Sequence, residues 1–379
     1  MNRPVVCFLT GTMNAFAGAE RMTAVLANAL AERGYTVHIG SLFDAKSCFA
    51  LDEGVAHASL FATRPSFKRQ YLTTIRRIRR YVAMHKIDIL IEVDPMLTWF
   101  TLPALAGTGV RRIAWEHCHF NEDLGKPARR VARRLAARSA SAVVVLTPAD
   151  RDVWASALRH RFDLRVIANP LPFPWPDEPA ARTSRTVLAV GRLVPAKGFD
   201  VLLEAWPAVM AHAPEWRLKI VGEGPERRAL EAKVATLGIG AGVSLPGTRA
   251  DIEAAYRDAS IFCLSSRYEG FGLVLLEAMA CGLPVVSTAC EAGPRSLLRD
   301  GVNAVTVDVD SPEALAQGLL KLIGNVALQQ ALAAAGRSTA LDYAVDRIVD
   351  QWETLFSDVC GEVLRSQGTS ANESGAPSE

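Results

Sequence analysis

The chain has 379 residues, of which 50% are hydrophobic and 22% charged, with a formal net charge of +2 at pH 7. This length exceeds one ordinary core and predicts two domains, while the near-neutral charge excludes wholesale binding of a polyanion. No apolar run approaches the ~20 residues that span a bilayer, and seven scattered cysteines without a Cys-x-x-Cys pair favour a reducing cytoplasm over a disulfide framework or a zinc site.

The first half alternates predicted strands and helices. The predicted strands are residues 5–9, 35–42, 87–93, 111–115, 142–146 and 164–168, and the predicted helices are 20–33, 96–106 and 148–158. This is the beginning of a parallel α/β sheet, in which ligands bind at the carboxyl ends of the strands. Gly18 lies in the first such loop, but the loop lacks Gly-x-Gly-x-x-Gly and so predicts no dinucleotide site.

A histidine pair follows the strand at 111–115. His117 and His119 have no third ligand at metal spacing, so a metal site is not expected. An imidazole at this place can donate a hydrogen bond to charge developing on a sugar or a phosphate. The alternative is a histidine that forms part of the wall and has no catalytic role.

Two segments of the first half are strongly basic. Residues 64–86 carry eight basic residues and residues 126–138 carry six, with no acid in either. The pattern predicts helices that contact an anionic membrane surface, from Arg76 to Arg80 and from Arg129 to Arg138. The alternative for the first segment is a solvated face of a helix packed on its own sheet. Nucleic acid is not expected, because no reader motif accompanies the charge.

A proline-rich stretch marks the domain boundary. Five prolines fall within residues 170–179, a density that prevents regular structure. We expect a first domain over residues 1–170, a linker over 171–184 and a second domain over 185–342. A helix over 343–365 is expected to cross back to the first domain, and the Ser- and Gly-rich residues 366–379 are expected to be disordered.

The second half repeats the alternation. Strands are predicted at residues 186–190, 218–221, 243–245, 261–264, 283–287 and 304–307, with helices from 199, at 226–237, 251–257, 273–280, 312–322 and 327–340. Arg192 and Lys197 flank the loop after the first of these strands, where a guanidinium and an ammonium can clamp a diphosphate without a metal. Glu269 lies in the loop before the helix 273–280. Glu277 lies within that apolar helix, where an unpartnered charge would be unfavourable.

Four motifs in order resemble family 4 of the retaining glycosyltransferases, which have the GT-B fold. They are Gly18-Ala-Glu-Arg21, Val190-Gly-Arg-Leu193 with Lys197-Gly198, Ile220-Val-Gly-Glu-Gly-Pro225, and Glu269-x7-Glu277 with Gly-Phe-Gly inside it. The resemblance covers roughly residues 5 to 350. It implies an α/β architecture of two Rossmann-like parallel-sheet domains that face each other across a cleft, the first binding the acceptor and the second the nucleotide sugar.

The resemblance also implies roles for individual residues. Arg192 and Lys197 would hold the donor diphosphate, Glu269 the sugar hydroxyls and Glu277 the ribose. His117 would contact the donor sugar and count as catalytic with Arg192, Lys197 and Glu269. The other donor-binding residues implied are Gly18 near the phosphates, Gly222 and Arg249 near the base, and Gly270, Phe271, Gly272 and Leu273 beside the sugar.

The activity that the resemblance implies is transfer with retention of a hexose or N-acetylhexosamine. The donor would be a nucleotide diphosphate sugar, expected to be UDP-linked, with no metal or other cofactor. The acceptor would be a glycan, expected to be polyprenyl-diphosphate-linked, in surface polysaccharide or glycoconjugate synthesis at the cytoplasmic face of the inner membrane. Two alternatives are a nucleotide-sugar epimerase of the same fold and a non-catalytic membrane-binding scaffold.

Overall fold

The chain forms two compact units. The structure, a computed structural model, describes residues 3–123, 125–158, 162–249, 251–290 and 293–370. One unit contains the residues up to 170 together with those from 345 on, and the other contains residues 171–344. Each unit is built on one parallel sheet with helices, so the predicted pair of Rossmann-like domains is confirmed.

The first unit has a seven-stranded sheet in the order β3-β2-β1-β4-β5-β6-β7. Its strands are β1 (Val6–Thr10), β2 (Val37–Phe43), β3 (Val55–Phe61), β4 (Ile89–Glu92), β5 (Arg111–Trp115), β6 (Ala142–Val145) and β7 (Leu164–Val166). Its helices up to residue 170 are α1 (Gly18–Glu32), α2 (Tyr71–Met84), α3 (Thr98–Ala104), α4 (Ala128–Ser139) and α5 (Pro148–Ala157). The central strands are buried on both faces, which explains their continuous apolar runs.

The second unit has a six-stranded sheet in the order β10-β9-β8-β11-β12-β13. Its strands are β8 (Thr186–Val190), β9 (Arg217–Val221), β10 (Val243–Gly247), β11 (Ile261–Leu264), β12 (Val285–Thr288) and β13 (Val305–Val307). Its helices are α6 (Phe199–His212), α7 (Arg227–Thr236), α8 (Ile252–Arg257), α9 (Leu273–Ala280), α10 (Gly293–Leu297), α11 (Pro312–Ile323) and α12 (Val326–Leu341). The carboxyl ends of all six parallel strands meet at one edge of the sheet.

The last helix belongs to the first unit. This helix, α13 (Val345–Ser370), buries Trp352, whose ring lies 5.2 Å from that of Trp115 on β5. Residues 366–370, expected in a disordered tail, continue α13 as its last residues. The rest of the expected tail, residues 371–379, lies outside the described residues.

The proline-rich stretch has no helix or strand, but it is bonded to the second unit. The Leu171 N–H donates to the Tyr343 carbonyl over 2.8 Å, and the Ala180 N–H donates to the Cys281 carbonyl over 2.8 Å. Arg337 donates to the Pro176 carbonyl over 2.6 Å. The stretch is therefore held along its length and does not act as a loose tether.

Candidate active site

At the carboxyl ends of the strands in the second sheet, the backbones of neighbouring loops lie very close together. Gly198 has φ +60°, and a Cβ atom there would lie 2.1 Å from the Ser265 carbonyl oxygen. Gly222 has φ +151°, and a Cβ atom there would lie 1.8 Å from the Gly191 carbonyl oxygen. Only glycine permits these contacts. The loops that follow β8, β9 and β11 are therefore pressed together at one edge.

The structure brings Lys197 and Glu269 into direct contact. The Lys197 Nζ lies 2.6 Å from Oε1 of Glu269, and the Ser266 hydroxyl donates to the same oxygen over 2.7 Å. The Ser265 hydroxyl donates to the Lys197 carbonyl over 2.9 Å, which ties the two loops together. The lysine side chain is 21% exposed and the glutamate 8%. An ammonium and a carboxylate thus stand side by side, within reach of solvent.

Glu277 has a buried partner that the sequence did not reveal. Its side chain is 1% exposed, and the Tyr256 hydroxyl from α8 donates to Oε2 over 2.6 Å. The tyrosine meets part of the requirement for a partner that the apolar surroundings of Glu277 had indicated. No spacing rule connects two residues that lie 21 positions apart on different helices.

The loop between the two glutamates ends at a left-handed glycine. Gly272 has φ +84° and stands at the N-cap of α9, directly before Leu273. Phe271 is buried, and its ring lies 5.9 Å from that of Tyr343. Gly270 is half-buried between Phe271 and Glu269. The first N–H groups of a helix lack intrahelical acceptors, so this end of α9 offers donors to an anionic or hydroxyl-rich ligand.

Arg192 and Arg249 lie on the surface. Neither guanidinium has a hydrogen bond or an ion pair within the part of the chain that the structure describes. The structure therefore joins Lys197 to Glu269 but does not join Arg192 to either of them. Gly18, at the first position of α1, is also exposed.

A pocket of about 340 Å³ lies at the carboxyl edge of the first unit's sheet. It is lined by the loop after β1, by the start of α1 and by the loop after β5. Among its lining residues are Glu20, Asp94, Glu116, His117 and Arg129. Burial raises the pKa of Glu20 above its usual value, and the charge of Asp94 adds to this effect.

His117 is neutral in this pocket. Its ring lies 4.1 Å from the ring of Trp115, and its Nε2 atom is enclosed without a partner among the described residues. Burial lowers the pKa of His117 to about 3. The neutral imidazole is therefore favoured over the imidazolium, and a neutral ring can donate one hydrogen bond to a ligand.

Two arginines of α4 are buried, so the prediction that residues 129–138 face an anionic membrane surface is wrong at these two positions. Arg129 is 3% exposed and pairs with Asp94 over 2.7 Å. Arg133 is 0% exposed, and its Nε lies 2.6 Å from Glu116. Carboxylates that the sequence pattern does not display draw the two arginines inward: the half-buried Asp94 pairs with Arg129, and the fully buried Glu116 pairs with Arg133. The exposed arginines of α4 are Arg130, Arg134 and Arg138.

Glu116 and Arg133 together hold the loop that carries His117. The Cys118 N–H donates to Glu116 over 3.0 Å, and Arg133 Nη2 donates to the carbonyls of His119 and Glu122 over 3.1 and 3.0 Å. Burial raises the pKa of Glu116 to about 7, against the opposing effect of Arg133. The loop is therefore fixed by a charged pair that sits in the core of the unit.

Helix α2 differs from α4, since Arg76, Arg77, Arg79 and Arg80 are all exposed. Arg77 stacks on Phe61 at 4.1 Å, and Arg79 donates to the Ala104 carbonyl over 3.0 Å. Across the described residues, no helix is long and apolar enough to cross a membrane. In the same part of the chain, no group of three or more His, Cys, Asp or Glu side chains could hold a metal ion.

Comparison with known proteins assigns both halves of the chain. The model of Glycosyltransferase Family 4 matches residues 16–174, and that of Glycosyl transferases group 1 matches residues 184–325. A glycosyltransferase of Haemophilus influenzae is 32% identical over 339 residues, which cover 89% of this chain and 96% of that protein. An amylovoran biosynthesis glycosyltransferase of Erwinia amylovora is 27% identical, over 90% of this chain and 96% of its own.

Solved structures share the fold. HepE of Anabaena, in complex with UDP and glucose, superposes with a TM-score of 0.77 at 20% identity, over 94% of this chain and 100% of its own. The two parallel-sheet domains and this likeness define the GT-B fold. The family matches and the full-length relative then decide the family: the chain belongs to the family 4 glycosyltransferases, and the resemblance carried by the four motifs is confirmed.

Proposed function

We propose that this glycosyltransferase moves a hexose or N-acetylhexosamine, with retention, from a UDP-linked sugar to a lipid-linked glycan. The reaction would serve surface polysaccharide or glycoconjugate synthesis. A relative in Campylobacter jejuni, 27% identical over 93% of this chain, is an N-acetylgalactosaminyltransferase that acts on an undecaprenol-linked glycan. The solved complexes of HepE with UDP-glucose and with UDP support the choice of donor.

The contact between Lys197 and Glu269 carries the proposal. The ammonium neutralises charge on the departing diphosphate, while the carboxylate, fixed by Ser266, accepts hydrogen bonds from sugar hydroxyls. Arg192 on the same loop is exposed and available to the diphosphate as the second cation. Glu277, oriented by Tyr256, accepts hydrogen bonds from the ribose. No metal ion is needed to balance the diphosphate in this scheme.

The reaction proceeds at one face of the sugar. The bond from the anomeric carbon to the diphosphate oxygen breaks, and a bond from that carbon to the acceptor oxygen forms on the same face. The acceptor's proton passes to the departing diphosphate oxygen. Backbone amides at Phe271 and Gly272 donate to the sugar, as the start of α9 favours. Gly18, Gly222, Arg249 and His117 keep the donor contacts that the resemblance implies.

The test is transfer measured with a panel of nucleotide sugars, with and without a polyprenyl-linked acceptor. Lys197→Ala should lower kcat by about 100-fold or more, because charge stabilisation in the transition state is lost. Glu277→Gln should raise the donor KM by about tenfold and change kcat less. Lys233→Ala is the matched control, since Lys233 pairs with Glu204 on the surface of the same unit.

Three outcomes would contradict the proposal. An epimerised sugar formed from the donor without any acceptor would indicate an epimerase. Membrane binding without transfer from any donor would indicate a scaffold. Equal kinetics for wild type and Lys197→Ala would remove the proposed role of the lysine.

We further propose that α2 holds the enzyme against the cytoplasmic face of an anionic membrane. Leu72 and Met84 are each 63% exposed on this helix, which also presents Arg76 and Arg80 to solvent. Each arginine near such a surface contributes about 1 kcal/mol. The variant Arg76→Glu/Arg80→Glu should therefore bind phosphatidylglycerol vesicles at least about tenfold more weakly. The exposed Arg228 of α7, changed to Glu, is the control.

A further inference from the structure

Two loops of the first unit present a pair of aromatic rings, and residues close in sequence to Phe16 line the pocket of this unit. Phe16 follows β1 and Phe49 follows β2; their ring centres are 5.9 Å apart and their planes meet at 73°. Phe16 is 87% exposed, and Phe49 is half-buried beneath it. With so much of Phe16 exposed, a flat face of its ring stays open to a ligand.

The two loops form one firm support. Met13 is fully buried and pairs with Ser47 in a parallel bridge, and the Cys48 N–H donates to the Met13 carbonyl over 3.0 Å. The Asn14 amide donates to the Asp44 carboxylate over 2.6 Å. The rings are thus held in place before any ligand arrives, which lowers the entropic cost of binding.

The position of Phe16 relates it to the pocket. Thr12, four residues before Phe16, and Glu20, four residues after it, both line the pocket. Phe43, which ends β2 six residues before Phe49, lines it as well. At about 340 Å³ the pocket is near the lower end of the range for ligand sites, about 300–1,000 Å³. It suits a single sugar ring, so a longer acceptor must extend over the rim.

We propose that Phe16 and Phe49 form an aromatic platform for the second sugar ring of the glycan acceptor, while the first ring occupies the pocket. The proposal rests on the glycosyltransferase function proposed above and names the residues that select acceptor length. A pyranose presents a face of C–H groups that packs on an aromatic face, and polar neighbours meet its hydroxyls. Asn14, two residues before Phe16, and its partner Asp44 are such polar groups.

A lipid surface fits this platform less well. Asp44 accepts a hydrogen bond from Asn14, two residues before Phe16, and an anionic membrane repels the negative charge of this carboxylate. Helix α2 already offers exposed arginines with exposed apolar side chains, the combination that suits such a surface.

The test compares four acceptors: mono- and disaccharide glycosides, each with a short or a long alkyl chain. Phe16→Ala should raise KM for both disaccharides by about tenfold, since the apolar area covered by the second ring is lost. Three quantities should stay within about twofold of their wild-type values: KM for the monosaccharides, KM for the donor and the rate of the slow hydrolysis of the donor. Phe16→Trp should retain the preference of the wild type for disaccharide over monosaccharide acceptors. Phe67→Ala, which changes another exposed phenylalanine of this unit, is the control.

An effect of Phe16→Ala that follows alkyl length instead of sugar number would overturn the proposal in favour of a lipid contact. An equal effect on all four acceptors, or none, would also overturn it. If wild type transfers to no acceptor, the proposed function fails, and the platform is then tested by direct binding. Saturation-transfer NMR should show the disaccharide glycosides bound to wild type and lost from Phe16→Ala; identical spectra would refute the platform.

Discussion

At the scale of single residues, the environment of the pocket decides which groups carry charge. Burial lowers the pKa of His117 to about 3 and raises the pKa of Glu116 to about 7. The two shifts have opposite consequences for stability. The contribution of His117 to the free energy of unfolding is complete above pH 6.5, which is the ordinary pKa of the group, and is lost as the pH falls towards 3. The contribution of Glu116 to the free energy of unfolding is complete below pH 4.5, its ordinary pKa, and is lost as the pH rises through 7.

We expect His117→Phe to remove the pH dependence of stability that His117 causes and to keep the contact with Trp115. Below pH 6.5, wild type should then lose stability relative to the variant by up to about 1.4 kcal/mol per pH unit. Urea unfolding of both proteins at several pH values between about 5 and 8 measures the difference. A constant difference across this range would show that the His117 imidazole titrates normally in the folded protein.

Gly222 shows how one missing Cβ shapes the loop edge. Gly222→Ala should destabilise the second unit by at least about 3 kcal/mol, because the new atom would lie against the Gly191 carbonyl. Gly238→Ala, at φ +65° with open space around it, should lose only about 1 kcal/mol. Denaturant unfolding followed in the second unit gives both values. Equal losses would mean that backbone conformation, and not close approach, requires glycine at position 222.

At the scale of elements, α4 is a positioning helix for the loop of His117. Arg133→Met should lower the stability of the first unit by about 3–5 kcal/mol above pH 7, since Glu116 is then buried without its partner. The loss should shrink at lower pH as Glu116 takes up a proton. Arg134→Met, on the exposed face of the same helix, should change stability by no more than about 0.5 kcal/mol.

Combining Arg133→Met with Glu116→Leu should recover part of the loss, because a buried pair replaced on both sides by apolar groups is often tolerated. Thermal unfolding of the four proteins forms a double-mutant cycle. Additive losses would indicate that the two side chains do not interact.

Helices α9 and α4 show which features the sequence predicts and which it does not. The bounds of α9 were predictable, because Gly272 before it and Gly282 with Pro284 after it are local signals. The partners of Arg129 and Arg133 lie 35 and 17 residues away, and no periodicity reports such distances. Strand β3 was missed for a related reason: its middle residues, Ala56 to Ser59, are small or polar and give no apolar run.

At the scale of the whole molecule, the first unit is discontinuous and depends on α13. Arg33 pairs with Asp346 over 3.2 Å and with Glu353 over 2.7 Å, and Trp352 and Phe356 are buried. Each of these two aromatic side chains stabilises the unit by about 3–5 kcal/mol. Together they approach the ~5–15 kcal/mol by which whole domains are stable.

A chain that ends at Ala344 should therefore keep the second unit and lose the first. Limited proteolysis should digest residues 1–170 and leave a resistant fragment close to 171–344. The milder variant Trp352→Ala should lower the stability of the first unit by about 3–5 kcal/mol and leave the second unchanged. Equal resistance of both units after truncation would contradict this dependence.

The position of α13 at the end of the chain also has a consequence during synthesis on the ribosome. Translation proceeds at about 5–20 residues per second, so completion of the first unit must wait roughly 10–35 s while residues 171–344 are made. The nascent first half exposes an apolar surface near Trp115 until Trp352 arrives to cover it. We expect chaperones to engage the growing polypeptide during this interval, and the second unit, encoded without interruption, to mature first.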